Sequence, residues 1–271
     1  MADRPILVLT GVQGNLGGKL AAALGGRYSL RCLDLRGGDD VIAADLGTYD
    51  ESWTRHFAGA NAVLHFAGEP LPTASWARVQ RGNIVATGNV LRASRTHKVR
   101  RVIFASSNQI MAGYRFADTL VTTTMPPSPL NPYAVSKLFC EEAGRAFAAE
   151  TGISFIALRI GNIPPGENVP HPGMGIGLWG QQMWLSNRDF IDGVQAAIDV
   201  RDLPFAIVNL VSNNPGMRWD LAHTRQVLGF SPQDGFSAVA SAEDVAEDAA
   251  ARLATLVPGQ WLDQRFQPLR G

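Results

Sequence analysis

The sequence predicts a doubly wound α/β fold: a parallel sheet covered by helices on both faces, with a small lobe built from its C-terminal pieces. Three observations carry this expectation. Short β-rich runs alternate with longer helical patterns through the first half of the chain. The runs are apolar almost throughout, as strands buried on both faces are. A glycine-rich loop stands between the first run and the first helical pattern, where a parallel sheet opens its ligand crevice.

Each element has its own signal. Pro5 to Leu9 reads as the first buried strand, and Leu16 to Leu24 as a helix that Gly25 and Gly26 stop. Ser29 to Leu33 is the second strand and Val41 to Ala44 a short third. Asn61 to Phe66 is the fourth, with Ala62, Val63, Leu64 and Phe66 apolar. Trp76 to Thr96 forms a long helix, Arg101 to Ala105 the fifth strand, Asn131 to Thr151 another long helix, and Ile153 to Leu158 the sixth strand. Beyond this the pattern loosens. Pro164 to Gly180 is so rich in Gly and Pro that a shaped loop is expected rather than an element. Arg188 to Asp199 reads as a helix, Phe205 to Val211 as a last strand, and Arg218 to Leu228 and Ala242 to Leu256 as helices. No repeat, low-complexity tract or linker interrupts the chain, so one domain over 1–271 is expected.

Composition narrows the function. A chain of 271 residues buries roughly three quarters of its unfolded surface and needs no covalent staples. Twenty-four Lys and Arg balance 24 Asp and Glu with no basic stripe, which argues against nucleic acid as a partner. No apolar stretch reaches the roughly eighteen residues of a membrane span. Met1 to Pro5 leads straight into a strand without a signal-peptide pattern, so a cytoplasmic protein is expected. Cys32 and Cys140 are far apart and read as reduced thiols. The histidines, at positions 56, 65, 97, 171 and 223, have no metal-ligand spacing, and no metal site is expected.

Thr10-Gly11-Val12-Gln13-Gly14-Asn15-Leu16-Gly17 has the spacing G-x-x-G-x-x-G between a strand and a helix. Gly11 permits a tight turn, Gly14 lets backbone amides approach a pyrophosphate, and Gly17 lets the helix pack closely on the sheet. The amides of Asn15 and Leu16 open the helix, whose N-terminus favours an anion. Asp34 ends the second strand, where a carboxylate accepts hydrogen bonds from an adenosine ribose and repels a 2′-phosphate. NAD is therefore expected over NADP, with Arg36 as the residue that speaks for the phosphate. Asp45 and Leu46 close the next strand and are candidates to flank the adenine, although a helix N-cap explains Asp45 equally well.

Asn131-Pro132-Tyr133-Ala134-Val135-Ser136-Lys137 opens the second long helix, with Asn131 as N-cap and Pro132 in the first helical position. Tyr133 and Lys137 then share one face. A free tyrosine, with a pKa of about 10, is a poor base at neutral pH, and a neighbouring ammonium favours its phenolate. Ser107 follows the fifth strand, where the crevice opens, and can hold a substrate hydroxyl beside Tyr133. A Tyr and a Lys four apart are common on helices. Their conjunction with the glycine loop, Asp34 and a strand-end serine is what makes the set specific.

With these residues in place the chain resembles the extended short-chain dehydrogenase/reductases. The matching pieces are Thr10 to Gly17, Asp34, Asp45-Leu46, His65-Phe66-Ala67-Gly68, Asn83, Ser107, Tyr133-x-x-x-Lys137 and Arg159-Ile160-Gly161-Asn162. Phe104 to Asn108, Leu158 to Gly161 and Trp184-Leu185-Ser186-x-x-Asp189-Phe190 resemble bacterial uronate dehydrogenases, which oxidise C1 of a cyclic hexuronic acid to a lactone with NAD. The resemblance implies that Gly11, Gly14 and Gly17 hold the pyrophosphate, that Asp34 holds the ribose, and that Ala67, Gly68 and Ile160 lie along the cofactor. It implies Lys137 on the nicotinamide ribose, Tyr133 as base, and Ser107, Asn108, Gln109 and Asn162 around the substrate. Asn83 would be a structural or proton-relay residue. Residues 1–163 and 189–211 would form the cofactor core, and 164–188 and 212–271 the substrate lobe. Pairing into a homo-oligomer is a family habit.

Departures from the uronate pattern concern the substrate end. Gln109 stands for a histidine, Asn162 for a serine and Pro70 for another serine. The Pro164 to Met183 loop contains no Arg or Lys to clamp a C6 carboxylate, and offers His171, Trp179, Gln181 and Gln182 instead. Two rivals stand beside a sugar dehydrogenase: a nucleotide-sugar epimerase or dehydratase, and a non-catalytic NAD-binding protein.

Overall fold

Seven parallel strands form the sheet in the order β3-β2-β1-β4-β5-β6-β7 in a computed structural model that describes residues 4–255. They are β1 Ile6–Thr10, β2 Ser29–Asp34, β3 Val41–Ala43, β4 Ala62–His65, β5 Arg101–Ser107, β6 Ser154–Ile160 and β7 Phe205–Leu210. Their pleat sends alternate side chains to opposite faces. Leu7, Leu9, Leu64, Ile103, Ile156 and Leu158 pack on one face with Leu20, Leu24, Phe190 and Val194 of α1 (Asn15–Leu24) and α7 (Asn187–Asp199). Val8, Val63, Val102, Phe104 and Phe155 pack on the other face. They meet Trp53 of α2 (Glu51–Thr54), Val90 of α4 (Ala86–Thr96), and Cys140 and Phe147 of α5 (Pro132–Thr151). Two-sided burial of this kind is why the strands lack polar alternation.

The differences from the expected elements have local causes. The helix expected over Trp76 to Thr96 starts as α3 (Trp76–Val79) and passes through a π-helical stretch, Gln80–Val85, before α4. That stretch carries Asn83, buried toward the site. A 3-10 turn, Asn108–Tyr114, extends directly from β5. The Gly/Pro run is not loop throughout: Gly177–Gln182 forms a short helix, α6. The helix expected from Arg218 begins only at Ala222, as α8 (Ala222–Leu228), because Trp219 bridges Val121 as an extended pair. The last helix, α9, spans Ala242–Thr255, and Leu256 lies outside the described residues. Asn131 caps α5 as expected, its Oδ1 accepting the Ala134 amide at 2.8 Å. Among the described residues no helix is long and apolar enough to cross a membrane.

A third apolar cluster underlies the lobe. Ile110, Met111, Val121, Trp179, Met183, Val211, Trp219 and Leu221 pack together there, with the Trp179 and Trp219 rings 4.3 Å apart.

Candidate active site

A groove of about 1110 Å³ runs across the C-terminal ends of β1, β2, β4, β5 and β6. One end is built by the glycine loop. Gly11 has φ +78°, and a Cβ there would lie 2.6 Å from the Ala67 amide nitrogen. A Cβ on Gly17 would stand 2.0 Å from the Gly11 carbonyl oxygen. The loop thus folds back on the helix as closely as backbone allows, and a side chain at either position would force it out. Gly14 caps α1 with no side-chain acceptor, and no acidic residue stands in the first turn. The opening amides and the helix dipole are available to an anion. Gly11, Gly14, Asn15, Leu16 and Gly17 all line the groove, although the Asn15 side chain is tied to the Ile163 carbonyl at 2.9 Å.

Asp34 lines the same end. Its Oδ2 accepts the Gln13 amide at 2.9 Å and its Oδ1 the Leu35 amide at 2.7 Å. These bonds fix the carboxylate against the loop and leave each oxygen a further lone pair for a ribose hydroxyl. Asp45 and Leu46 line the groove as well. Asp45 caps its own turn, accepting the Gly47 amide at 3.0 Å, and pairs with Arg81. The residues fit a dinucleotide: the donor set at the loop suits a pyrophosphate and the acceptor beyond it a ribose. NAD is expected to exceed NADP at least tenfold in kcat/KM, a difference of about 1.4 kcal/mol. Initial rates with the two cofactors check this, and equal rates would transfer the weight to Arg36, exposed on the rim.

Ser107, Tyr133 and Lys137 meet at the other end, with Ala67, Gly68 and Ile160 on the wall between. Lys137 is buried, donates to the Ala105 carbonyl at 2.8 Å and lies 5.7 Å from the centre of the Tyr133 ring. Burial lowers its pKa to about 8, so it remains largely protonated at neutral pH. Tyr133 is half-buried and lines the groove. That burial raises its pKa, the Ser107 hydroxyl lowers it, and the charge of Glu69 raises it further.

Supporting groups hold this end rigid. Asn83 Nδ2 donates to Ser136 Oγ at 2.8 Å, and Ser136 Oγ donates to the Tyr133 carbonyl at 2.7 Å. Asn83 Oδ1 accepts the Glu69 amide at 2.8 Å. Buried His65 bridges Thr10 Oγ1 at 2.8 Å and Thr87 Oγ1 at 3.1 Å, and Thr10 Oγ1 in turn accepts the Ala67 amide. Burial and then the Lys137 charge push His65 down to about 3, so it is neutral.

The sequence did not point to two pairs. Glu69 lines the groove with Arg78, whose Nη2 lies 2.5 Å from Glu69 Oε2. Behind the site Arg159 forks onto Glu141 at 3.0 and 2.8 Å, and Ser106 Oγ donates to the same carboxylate at 2.6 Å. No spacing rule connects these positions.

The residues expected around a substrate divide. Asn162 lines the groove, with Nδ2 3.4 Å from the Gly180 carbonyl. Asn108, expected beside the substrate, is instead wholly buried and lines neither cavity, and neither polar atom of its amide has a partner. Gln109 lies instead on a smaller cavity of about 150 Å³, with Arg115, Asn131 and Trp179. Of the loop side chains, His171 is exposed and bonds the Pro172 carbonyl. Trp179 packs on Trp219, and buried Gln181 bonds the Val239 backbone and Asp244. None of these three reaches the main groove. Packing in the lobe claims Trp179 and Gln181 first.

Comparison with known proteins decides the family. The model of the NAD dependent epimerase/dehydratase family matches residues 7–172. The chain belongs to that family. Its cofactor is NAD. An L-arabinose 1-dehydrogenase (NAD(P)(+)) of Haloferax volcanii is 30% identical over 86% of this chain and 98% of its own length. An NAD-dependent glucose-6-phosphate dehydrogenase of the same organism is 33% identical over 86% and 94%. The crystal structure of uronate dehydrogenase from Agrobacterium tumefaciens is 26% identical, covers 94% of this chain and 90% of its own, and superposes with a TM-score of 0.75.

Proposed function

We propose that this family member is a dehydrogenase of free cyclic sugars, oxidising the anomeric C1 hydroxyl to give a lactone. The observation that carries the reading is the convergence of Ser107, Tyr133 and Lys137 on one wall of the NAD groove. When bound, NAD supplies the hydride acceptor. Tyr133 takes the hydroxyl proton as phenolate, and Ser107 holds the same oxygen in line with it. Lys137 keeps an ammonium beneath the phenol and reaches the cofactor ribose, so one cation serves base and cofactor. Asn162, which lines the groove, holds a sugar hydroxyl. Relatives that match nearly end to end are named as dehydrogenases of small sugars, which supports the reaction class.

A free sugar is favoured over a nucleotide sugar by charge. No Arg or Lys stands between Arg159 and Arg188 to meet a second pyrophosphate. Neither Gln109 nor Trp179 opens onto the groove, and Asn162 is the polar residue that lines this end of it. The test is NADH formation, followed by its absorbance, on incubation with a panel of aldoses. A lactone that opens slowly to the acid is the expected product, and an epimer with no net NADH would transfer the assignment to the epimerase class. Asn162→Ala is expected to lower kcat/KM about ten- to a hundredfold, the cost of one hydrogen-bonding group, with NAD affinity little changed.

A further inference from the structure

We propose that Glu69 makes this site selective for neutral aldoses, accepting hydroxyls of the sugar beside Tyr133 and turning away hexuronates and sugar phosphates. The inference rests on the sugar-dehydrogenase reading above and names the substrate class of that site.

Placement comes first. Glu69 follows the cofactor wall Ala67-Gly68 and lines the groove that holds Ser107, Tyr133 and Lys137. Three hydrogen bonds connect it to the tyrosine: the Glu69 amide to Asn83, Asn83 to Ser136, and Ser136 to the Tyr133 carbonyl. The acid and the phenol are therefore parts of one rigid frame.

The carboxylate is 7% exposed, whereas its partner Arg78 is 63% exposed. Oε1 accepts the Leu71 amide at 3.1 Å and Oε2 meets Arg78. A carboxylate offers about four lone-pair sites, so two remain for sugar hydroxyls. The negative member of the pair is the one held in the wall, and the positive member stands in water, where its field is screened. Glu69 charge is felt at the Tyr133 hydroxyl.

The other cations of the groove are bonded or lie elsewhere. Lys137 donates to the Ala105 carbonyl below the cofactor. Arg81 pairs with Asp45, and Arg36 follows Asp34, both at the adenosine end. Arg115, beyond the groove, bonds Asp248 and the Ile176 carbonyl. A C6 carboxylate or phosphate entering beside Tyr133 meets a buried carboxylate and no disengaged cation, while a neutral sugar meets an acceptor that suits its hydroxyls.

The experiment measures kcat/KM of the full chain with NAD for L-arabinose, D-glucose and D-galactose against D-glucuronate, D-galacturonate and glucose 6-phosphate. The best neutral sugar is expected to exceed the best anion at least tenfold. Glu69→Gln should raise KM for neutral sugars and raise kcat/KM for anions, bringing the ratio toward one, with NAD affinity unchanged. Arg78→Met should sharpen the preference, whereas a merely structural pair would give the same loss from either substitution. An anion used as well as the neutral sugars by the unsubstituted enzyme overturns the proposal alone, and needs no variant to fold. NADH from none of the six overturns the dehydrogenase reading, and this proposal with it.

Discussion

Tyr133→Phe is expected to lower turnover by about 10²- to 10⁴-fold, the usual contribution of a positioned acid–base group. NAD affinity should change little. The phenol oxygen touches the reacting hydroxyl in the proposed pose and makes no hydrogen bond to the glycine loop or Asp34, so only the chemical step loses by its removal. Lys137→Met should damage both turnover and NAD affinity, because one ammonium serves both. It should also stabilise the fold. Lys137 has a folded pKa of about 8, below the ordinary 10.5. Between those values the unfolded chain binds the proton that the folded chain releases, so stability rises with pH there. Below about pH 8 both states are charged, and the folded state carries the full cost of a buried ammonium. A methionine removes that cost, and the melting temperature at pH 7 without cofactor should rise by a few degrees. Stopped-flow turnover, NAD titration and thermal unfolding read the three effects. A near wild-type Tyr133→Phe enzyme would remove the catalytic assignment altogether. Because burial holds the Tyr133 pKa above its ordinary value, oxidation should quicken as pH climbs through the alkaline range.

Arg159→Leu is expected to cost about 3–5 kcal/mol of stability, the largest loss from any single substitution considered. Arg159 and Glu141 are 2% and 0% exposed, and the fork joins β6 to α5 with both carboxylate oxygens engaged. Removing the guanidinium leaves a carboxylate in the core whose only remaining support is Ser106. Replacing both partners, with Glu141→Leu added to Arg159→Leu, should recover most of the loss, since the pair's desolvation largely offsets its attraction. Urea unfolding of the two single variants and the double gives the coupling, and additive losses would contradict it. Ser106 precedes Ser107, so the single variant should also disturb catalysis beyond its effect on stability.

Much of the groove was legible in the sequence because its parts are local. The glycine spacing, the acid ending β2, and the Tyr and Lys four apart on a capped helix are each written within a few residues. The parallel sheet then brings these strand ends together without further information. What was not legible depends on partners distant in sequence. Glu69 and Arg78 flank a turn that no periodicity predicts, and Glu141 meets Arg159 only because α5 crosses β6. The π-helical stretch that turns Asn83 inward has no composition of its own. Trp179 and Gln181 illustrate the reverse error. In a Gly/Pro run they read as side chains displayed to a ligand, but the lobe needed an apolar centre and an anchor for the segment before α9, and took both.

The strand order governs how the molecule can be assembled during translation. β2 and β3 add in turn to one side of β1, and β4, β5, β6 and β7 add in turn to the other. Every strand emerging from the ribosome after β1 therefore meets its neighbour already in place, and no pairing waits for a segment not yet made. By the time Ala67 has been synthesised, the glycine loop, Asp34 and the wall opposite them can stand together as a nascent half-groove. The catalytic half follows a different schedule. Glu141 is made before Arg159, so α5 cannot be sealed onto the sheet until β6 arrives with the charge that neutralises it. Tyr133 and Lys137 thus reach their final positions only with the strand that closes the far side of the groove.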